Sequence, residues 1–308
     1  MIPRIIHLCF GMAPDFGGKP WSLVHYACVR SMAERLKPDD IRFYYTYEPS
    51  GPWWELTRPL LSLVRIDPPT SIFGNPLIHP AHRADIVRLE KLIEHGGIYL
   101  DCDVLVVRDF DDLLGHQCVL GLQGEEPRVG LCNGVILAEP NARFLRRWYE
   151  TYRSFRSRGK DDFWSEHSVA MPLKLAREDG SDLTILGNRA FHWPLFHREH
   201  LTWTFASTRP IDETGAYAHH LWESIAWHDY LAGLTVRKVC ARDTNFHRWL
   251  RPLLADLSDD FAKEPLAHTA SRLAQRALAR ADIVAYRWRR AARRAAGEAL
   301  QLIGLSRR

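Results

Sequence analysis

Apolar runs and amphipathic stretches alternate along the first part of the chain. Residues 4–10 form an apolar run typical of a buried strand, and residues 41–47 are rich in side chains that favour strands. Between them, residues 21–36 repeat apolar side chains at helical spacing, and a further short strand is predicted at 63–66. This alternation of strands and helices is typical of an α/β sheet with parallel crossover connections.

The segment 80–107 predicts a helix that leads directly into a strand. Apolar residues recur at helical spacing after Pro80, and two consecutive glycines end the helix. The strand that follows, at 98–107, is apolar except for Asp101 and Asp103. Because these two acids are two positions apart, we expect their side chains to lie on the same face of one continuous strand.

The second half of the chain predicts a mixture of strands, helix and loop. Two strands, a helix, an aromatic loop and a segment rich in His and Trp are indicated at 118–122, 134–138, 142–156, 190–198 and 219–227. From residue 258 onward the chain is rich in Ala, Arg and Leu, which favour helix. We therefore expect two parts, a folded domain at 1–257 and a basic helical tail at 258–308.

Charge divides the chain in a similar way. The 308 residues carry a net charge of +4, yet residues 265–308 alone hold ten arginines against two acids. A basic amphipathic segment of this kind predicts peripheral contact with an anionic membrane surface. The alternatives are a solvated helix packed on the domain and a disordered tail. Nucleic-acid binding is not expected, because the mildly acidic domain would oppose it and no nucleic-acid motif is present.

The cysteines and the pattern of apolar residues indicate the cellular compartment of the protein. The six cysteines form no C-x-x-C pair and resemble neither a zinc site nor a disulfide framework, which favours a reducing compartment. No uninterrupted apolar run approaches the ~20 residues of a membrane span, and the first residues lack a signal-peptide pattern. We therefore expect a cytoplasmic protein, with 265–308 as a candidate contact for the inner face of the membrane.

The acidic strand and the helix before it carry the candidate chemistry. Two carboxylates among apolar residues are costly to bury, and a divalent cation such as Mg²⁺ or Mn²⁺ would offset that cost. The alternative is a pair of acids that face water or a basic partner. On the helix, Asp85 and Arg88 share a face. They form either an ordinary surface ion pair or, because the helix leads into the acidic strand, a site for a phosphate or a sugar hydroxyl.

These residues form part of a longer pattern. Asp85-x-x-Arg88, followed by Gly-Gly-Ile-Tyr-Leu-Asp-Cys-Asp at 96–103, resembles the D-x-x-R…G-G-x-Y-x-D-x-D signature of glycosyltransferase family 32. This family of DXD-containing sugar-nucleotide transferases is related to the catalytic domains of the large clostridial toxins. Further motifs of the family have counterparts in the same order at 2–7, 133–136 and 218–222.

The resemblance implies a GT-A fold, a Rossmann-like α/β sheet with the D-x-D at the carboxyl end of a strand, and makes 1–257 the catalytic domain. It also implies a metal-dependent, retaining hexosyltransferase that uses a nucleotide-sugar, with UDP-sugars favoured, and Mn²⁺ or Mg²⁺. The expected acceptor is a glycan or a glycolipid, in bacterial surface polysaccharide or glycolipid synthesis. At 169–172 the chain has Val-Ala-Met-Pro where many relatives carry Thr-Gly-Pro, so the acceptor-side loop departs from the family.

Carried over position by position, the resemblance implies roles for particular residues. Asp103 and Asp101 would hold the metal together with His220. Asp101, Asp103 and Arg88 are the candidate catalytic residues. Of two adjacent histidines, the motif favours His220 over His219. The candidate donor-binding residues are His7, Asp85, Arg88, Tyr99, Asp101, Asn133, His220 and Trp222. The alternatives are a hydrogen-bonded histidine at the end of the first strand for His7 and a core side chain for Tyr99.

Other functions share parts of this pattern. A phosphatase or phosphotransferase with a D-x-D would use Asp101 as its nucleophile, but that motif has Thr or Val two positions after the second Asp, where this chain has Leu105. An inactive sugar-binding module would not need both aspartates and Arg88 intact. A toxin-like glycosyltransferase that modifies a protein is the remaining alternative.

Overall fold

The computed structural model describes residues 1–125 and 129–262. The strands are β1 (Ile5–Cys9), β2 (Asp40–Tyr45), β3 (Ser62–Arg65), β4 (Ser71–Ile72), β5 (Asn75–Pro76), β6 (Gly97–Leu100), β7 (Val104–Val106), β8 (Cys118–Gln123), β9 (Gly130–Ala138), β10 (Thr184–Leu186) and β11 (Ala218–His220). The α-helices are α1 (Leu23–Leu36), α2 (Pro52–Thr57), α3 (Pro80–His95), α4 (Arg143–Thr151), α5 (Met171–Glu178), α6 (Arg198–Phe205), α7 (Glu223–Ala226), α8 (Val236–Cys240) and α9 (Asn245–Leu250). The helix expected at 142–156 is shorter, because α4 passes into a 3₁₀ turn at Tyr152–Ser154.

Seven strands form one sheet in the order β10–β8–β9–β6–β1–β2–β3. Neighbours are parallel except for β9, which runs antiparallel to both β6 and β8. The expected α/β sheet is therefore confirmed, with one antiparallel strand inserted near its centre. Because β9 runs in the opposite direction to β6, its Gly134 lies just beyond the carboxyl end of β6, where Gly134 O accepts a hydrogen bond from Asp101 N (2.9 Å).

Helices cover both faces of the sheet. Ile98 and Leu100 of β6 belong to a buried apolar layer with α1 and α2, whereas Tyr99 belongs to the layer with α3 and α4. This alternation follows from the two-residue period of a strand. Because β6 is packed from both sides, its carboxyl end is a rigid place for functional groups.

The join between α3 and β6 requires glycine. Gly96 ends α3 with its amide donating to Leu92 O (2.8 Å). Gly97 has a φ of +109°, and a Cβ at this position would lie 2.4 Å from the carbonyl oxygen of Ile5. Only glycine fits this conformation so close to β1. The predicted helix stop is confirmed, and it places α3 beside the end of β6.

The prediction of one continuous strand at 98–107 is wrong. Strand β6 ends at Leu100, and the next residues form a turn in which Val104 N donates to Asp101 O (3.0 Å). Strand β7 then leaves the main sheet and pairs antiparallel with β11. Asp101 and Asp103 therefore point to the same cavity because of this turn and not because of the pleat of a strand.

The predicted C-terminal tail lies almost entirely outside the described residues. The described chain continues through a 3₁₀ helix at Arg251–Leu254 and reaches residue 262. Residues 259–262 form turns, so the helix predicted from residue 258 does not begin there. The helix expected further along and the membrane contact expected for 265–308 lie outside the described residues and stay predictions. Within 1–125 and 129–262, no helix is both long enough and apolar enough to cross a lipid bilayer.

Candidate active site

A cavity of about 500 Å³ lies at the carboxyl ends of β1 and β6. Its walls come from the segments that follow these strands, from α3 and β9, and from the end of β11. Open α/β sheets bind their ligands beyond the carboxyl ends of the strands, so the cavity is the candidate active site. The residues expected at the site that line it are Asp85, Arg88, Tyr99, Asp101, Asp103, Asn133, His220 and Trp222.

Asp101 lies at the centre of this group. Its Oδ1 accepts a hydrogen bond from the hydroxyl of Tyr99 (2.9 Å) and lies 3.2 Å from Nη1 of Arg88. Burial raises the pKa of Asp101, and the carboxylate of Asp103 adds to this, although Arg88 acts in the opposite direction. The second oxygen, Oδ2, lies 3.9 Å from Nε2 of His220. One oxygen of the carboxylate is thus fixed by Tyr99 and Arg88, and the other faces the imidazole of His220.

Asp103 is held on both oxygens. Its Oδ2 accepts a hydrogen bond from the backbone amide of Glu223 (2.7 Å), and its Oδ1 lies 3.3 Å from Nε2 of His220. Burial alone would raise the pKa of Asp103, but His220 and the amide outweigh it and hold the pKa well below its usual value. For the same reason Asp103 raises the pKa of His220 well above its usual value, although burial works against the charge.

Strand β11 delivers His220 to the aspartates. Its pairing with β7 sets His220 opposite Val104, directly after the acidic turn. The ring of Trp222 stacks on His220 with 4.1 Å between centroids, and its indole nitrogen donates to Pro194 O (2.7 Å). His219 points away from the cavity, where its Nδ1 lies 2.8 Å from Trp193 O. Of the two adjacent histidines, the structure therefore places His220 at the aspartates, as the motif suggested.

Arg88 joins α3 to β6 and β9. Its Nη1 donates to the carbonyl oxygen of Asn133 (2.6 Å), and its Nη2 lies 3.3 Å from Oδ1 of Asp85. The side-chain amide of Asn133 donates to the same oxygen of Asp85 (2.7 Å), and the guanidinium lies over the ring of Tyr99 at 4.3 Å. Asp85 and Arg88 are each only 6% exposed. The alternative of an ordinary surface ion pair is therefore excluded.

His7 does not reach the cavity. Its side chain is fully buried in the sheet, with Nε2 2.8 Å from Gly96 O and Nδ1 3.1 Å from the hydroxyl of Tyr44. Because a carbonyl oxygen can only accept, Nε2 carries a proton, and the neutral ring ties the end of α3 to β1 and β2. The structure thus places His7 among packing residues and separates it from the other candidates.

The burial of His7 predicts that the folded protein loses stability in mild acid. Burial lowers the pKa of His7 from 6.5 to about 4. Between pH 6.5 and pH 4 the unfolded chain binds a proton on His7 that the folded protein excludes. The contribution of the neutral, buried ring to the free energy of unfolding is therefore complete above pH 6.5 and is lost as the pH falls. From pH 7 to pH 5 we expect His7 to account for a loss of about 2 kcal/mol in the free energy of unfolding. His7→Gln, measured by urea denaturation at both values, should show a correspondingly smaller loss; an equal loss in both proteins would contradict the assignment.

A buried acid that the sequence analysis missed adjoins the aspartates. Oε2 of Glu223 lies 2.7 Å from Nζ of Lys19, and its Oε1 lies 2.8 Å from Nε2 of His25. All three residues line the cavity. Glu223 directly follows the motif at 218–222, and this position is the one signal in the sequence that could have placed it at the site. No spacing pattern connects Lys19 or His25 to it, because they belong to the loop before α1 and to α1 itself.

The ligand atoms at the D-x-D suit a divalent cation. Asp101, Asp103 and His220 each offer one such atom, and these atoms lie within 4.8 Å of one another. Two carboxylates and the imidazole of His220 are packed together here, so a cation could bind the ring nitrogen and meet the same two carboxylates. Carboxylate oxygens are the ligands that Mg²⁺ and Mn²⁺ prefer.

Comparison with known proteins decides the family. Residues 22–120 match the family described as glycosyltransferase sugar-binding region containing DXD motif. Over 276 residues the chain is 37% identical to glucan organizing enzyme 1 of Cryptococcus neoformans var. grubii, a match that spans 86% of this chain and 74% of that protein. The chain belongs to the DXD-containing glycosyltransferases. The enzyme class expected from the sequence is therefore confirmed, and the D-x-D of this glycosyltransferase lies at the end of β6.

More distant similarities were also found. An uncharacterized protein of Arabidopsis thaliana is 26% identical to this glycosyltransferase over 148 residues, which is 44% of this chain and 22% of that protein. Among solved structures, the glycosyltransferase GlyE of Streptococcus pneumoniae is 14% identical with a TM-score of 0.44, covering 85% of this chain and 66% of that one. The galactosyltransferase LgtC, in complex with donor and acceptor sugar analogs, is 14% identical with a TM-score of 0.40. The match covers 86% of this chain and 99% of that one.

Proposed function

We propose that this glycosyltransferase moves a hexose from a nucleotide-sugar, with UDP-sugars favoured, to a glycan or glycolipid acceptor in a metal-dependent reaction that retains anomeric configuration. One observation carries the proposal. Asp101, Asp103 and His220 converge in a cavity at the carboxyl end of the sheet, beside a buried ion pair between Asp85 and Arg88. We place the reaction in surface polysaccharide or glycolipid synthesis.

Asp101, Asp103 and His220 would hold the cation. Because imidazole is a softer ligand than carboxylate, this mixed set favours Mn²⁺ over Mg²⁺. When bound, the ion would supply Lewis-acid stabilisation to the diphosphate of the donor. The amide of Glu223 fixes Asp103, and Tyr99 and Arg88 fix Asp101, so the protein orients both carboxylates before the donor arrives.

Arg88 acts in this proposal as a positioning residue. Its donors are engaged with Asn133 O, Ala84 O and the carboxylates of Asp85 and Asp101. It therefore orients Asp101 and offsets the negative charge around it. Asp85 and Asp101 line the cavity, where their carboxylates would stabilise the positive charge that develops on the anomeric carbon.

Lys19 is the candidate contact for the leaving diphosphate. It lines the same cavity, is 24% exposed at its side chain, and is held by Glu223. An ammonium group placed there would stabilise the negative charge that develops as the sugar departs. In a retaining reaction on one face of the sugar, an oxygen of the leaving phosphate takes the proton of the acceptor hydroxyl. The proposal therefore assigns no side chain as the acceptor base.

Aromatic side chains at the cavity support a carbohydrate acceptor. Trp164, Phe196 and Trp222 line it, and aromatic rings offer apolar faces on which sugar rings pack. The relative in Cryptococcus neoformans is called glucan organizing enzyme 1, which also supports a polysaccharide acceptor.

A donor screen tests the proposal. The protein is incubated with UDP-glucose, UDP-galactose, UDP-N-acetylglucosamine and GDP-mannose, each with Mn²⁺, with Mg²⁺ or with a chelator, and with oligosaccharide acceptors. We expect nucleoside diphosphate to be released from a UDP-sugar only with a divalent cation, and NMR of the product to show the anomeric configuration of the donor. Full activity with the chelator would contradict metal dependence, and an inverted product would contradict retention.

A further inference from the structure

A second group of metal-binding side chains lies directly behind the aspartates. Cys132 of β9, His192 of the aromatic loop and His220 of β11 each offer a ligand atom, and these atoms lie within 4.8 Å of one another. The two imidazole rings are 5.9 Å apart between centroids, and both lie beside the thiol of Cys132. Cys132 is 4% exposed and His192 is fully buried. His220 belongs to this group and to the aspartate site alike.

Each histidine of the group has one engaged and one available nitrogen. Nδ1 of His192 lies 3.1 Å from Leu122 O, which can only accept, so this nitrogen carries the proton. Nε2 of His220 lies 3.3 Å from Oδ1 of Asp103. Within the described part of the chain, the other nitrogens, Nε2 of His192 and Nδ1 of His220, are buried and face the sulfur of Cys132. A thiol is a weak hydrogen-bond partner, and a metal ion bound to the sulfur and to both nitrogens would be a stronger one.

We propose that Cys132, His192 and His220 form a binding site for Zn²⁺ that shares only His220 with the D-x-D site. A thiolate with two imidazoles is a soft donor set that suits Zn²⁺ and not Mn²⁺ or Mg²⁺. The surroundings are those of a zinc site, because zinc-bound histidines donate their other nitrogen to a carbonyl oxygen or a carboxylate. Leu122 O and Asp103 occupy these two positions here.

Binding at this site follows from simple proton chemistry. The sulfur binds as a thiolate, so the thiol proton of Cys132 is released to solvent, as is any proton on Nδ1 of His220. Three protein ligands leave the fourth tetrahedral position of Zn²⁺ for water. Cys132 and His220 line the cavity, so the ion and its water reach the site from there.

Occupation of the zinc site inhibits transfer, a consequence that rests on the proposed function. With Zn²⁺ on Nδ1, the neutral ring of His220 keeps its proton on Nε2, directed at Asp103. That nitrogen then has no free electron pair for a cation at Asp101 and Asp103. Zn²⁺ at Cys132 and Mn²⁺ at the D-x-D therefore compete for one imidazole.

Cobalt absorption tests the site independently of activity. Co²⁺ is titrated into the reduced, full-length protein, and the near-ultraviolet charge-transfer band of a cobalt–thiolate bond is recorded. We expect the band in the wild type and in Cys118→Ser, a matched variant of another buried cysteine, and we expect Zn²⁺ to remove it. Cys132→Ser should lack the band and His192→Asn should weaken Co²⁺ binding at least ~10-fold. Absence of the band in the wild type, or its persistence in Cys132→Ser, overturns the site.

Inhibition is measured separately on the active enzyme. With Mn²⁺ constant, we expect the Zn²⁺ concentration that halves activity to rise at least ~10-fold in Cys132→Ser and in His192→Asn, and to be unchanged in Cys118→Ser. Equal inhibition in wild type and Cys132→Ser would assign Zn²⁺ to the D-x-D and overturn the inhibitory role. If transfer proves independent of metals while the cobalt band is present, the proposed function fails and the zinc site stands.

Discussion

Asp103→Asn lowers kcat/KM for sugar transfer by at least ~10³-fold and leaves the fold intact. Asparagine has the same shape, and its oxygen can still accept the hydrogen bond from the amide of Glu223. It has no charge, so its oxygen would hold the proposed cation beside Asp101 and His220 far more weakly than a carboxylate does. Loss of charge stabilisation at a leaving group costs several kcal/mol of barrier, and each 1.36 kcal/mol is about tenfold in rate.

The measurement is a steady-state assay with Mn²⁺ together with a thermal unfolding scan. Asp67→Asn, an exposed aspartate on the surface, is the matched control and should retain wild-type activity. Binding of Mn²⁺ is monitored through the quenching of tryptophan fluorescence, to which Trp222 contributes. The affinity for Mn²⁺ should fall in Asp103→Asn and stay unchanged in Asp67→Asn. Wild-type transfer by a folded Asp103→Asn enzyme would remove the D-x-D from the mechanism.

Arg88→Lys reduces both stability and activity. One ammonium group cannot reach Asn133 O, Asp85 and Asp101 at once, as the planar guanidinium does. The variant leaves buried charges with incomplete partners, and breaking a buried pair costs about 3–5 kcal/mol. Because lysine keeps the charge, we expect a loss of about 2–4 kcal/mol in the free energy of unfolding. We also expect kcat/KM to fall about 100-fold, because Asp101 loses its orientation.

Arg153→Lys provides the comparison for this prediction. Arg153 pairs with Glu150 at 2.6 Å, but both side chains are more than half exposed. Such surface pairs contribute ~0–1 kcal/mol, so the control should match the wild type in urea denaturation and in the assay. An Arg88→Lys enzyme with wild-type stability and donor affinity would be at odds with the geometry of this network.

The local parts of the site could be predicted from the sequence. Pro80 and Gly96 are strong signals for the start and end of a helix, and α3 has the bounds they indicate. The sequence correctly places the two acids beyond α3, but the strand that it predicts at 98–107 is too long, because β6 ends at Leu100. The apolar residues on both sides of the acids gave no sign that Val104 N would close a turn on Asp101 O.

The parts that depend on contacts between distant segments could not be predicted. Burial of Arg88 depends on β9, which brings Asn133 to it, and this pairing has no local signature. The resemblance assigns His7 to the donor site, yet the pleat of β1 directs its ring to the carbonyl oxygen of Gly96. Cys132 and His192 show no metal-ligand spacing, because the loop that carries His192 reaches β9 only in the folded chain.

The pairing of β7 with β11 also decides when the site can form. It sets Val104 opposite His220, two residues that are far apart in the sequence. Closing the loop between them costs chain entropy, which is offset only when these distant segments pack together. During synthesis the aspartates leave the ribosome long before His220, because chains emerge from the N-terminus. A nascent chain therefore carries the two aspartates without this imidazole, and the three proposed cation ligands can meet only after residue 220 has been made.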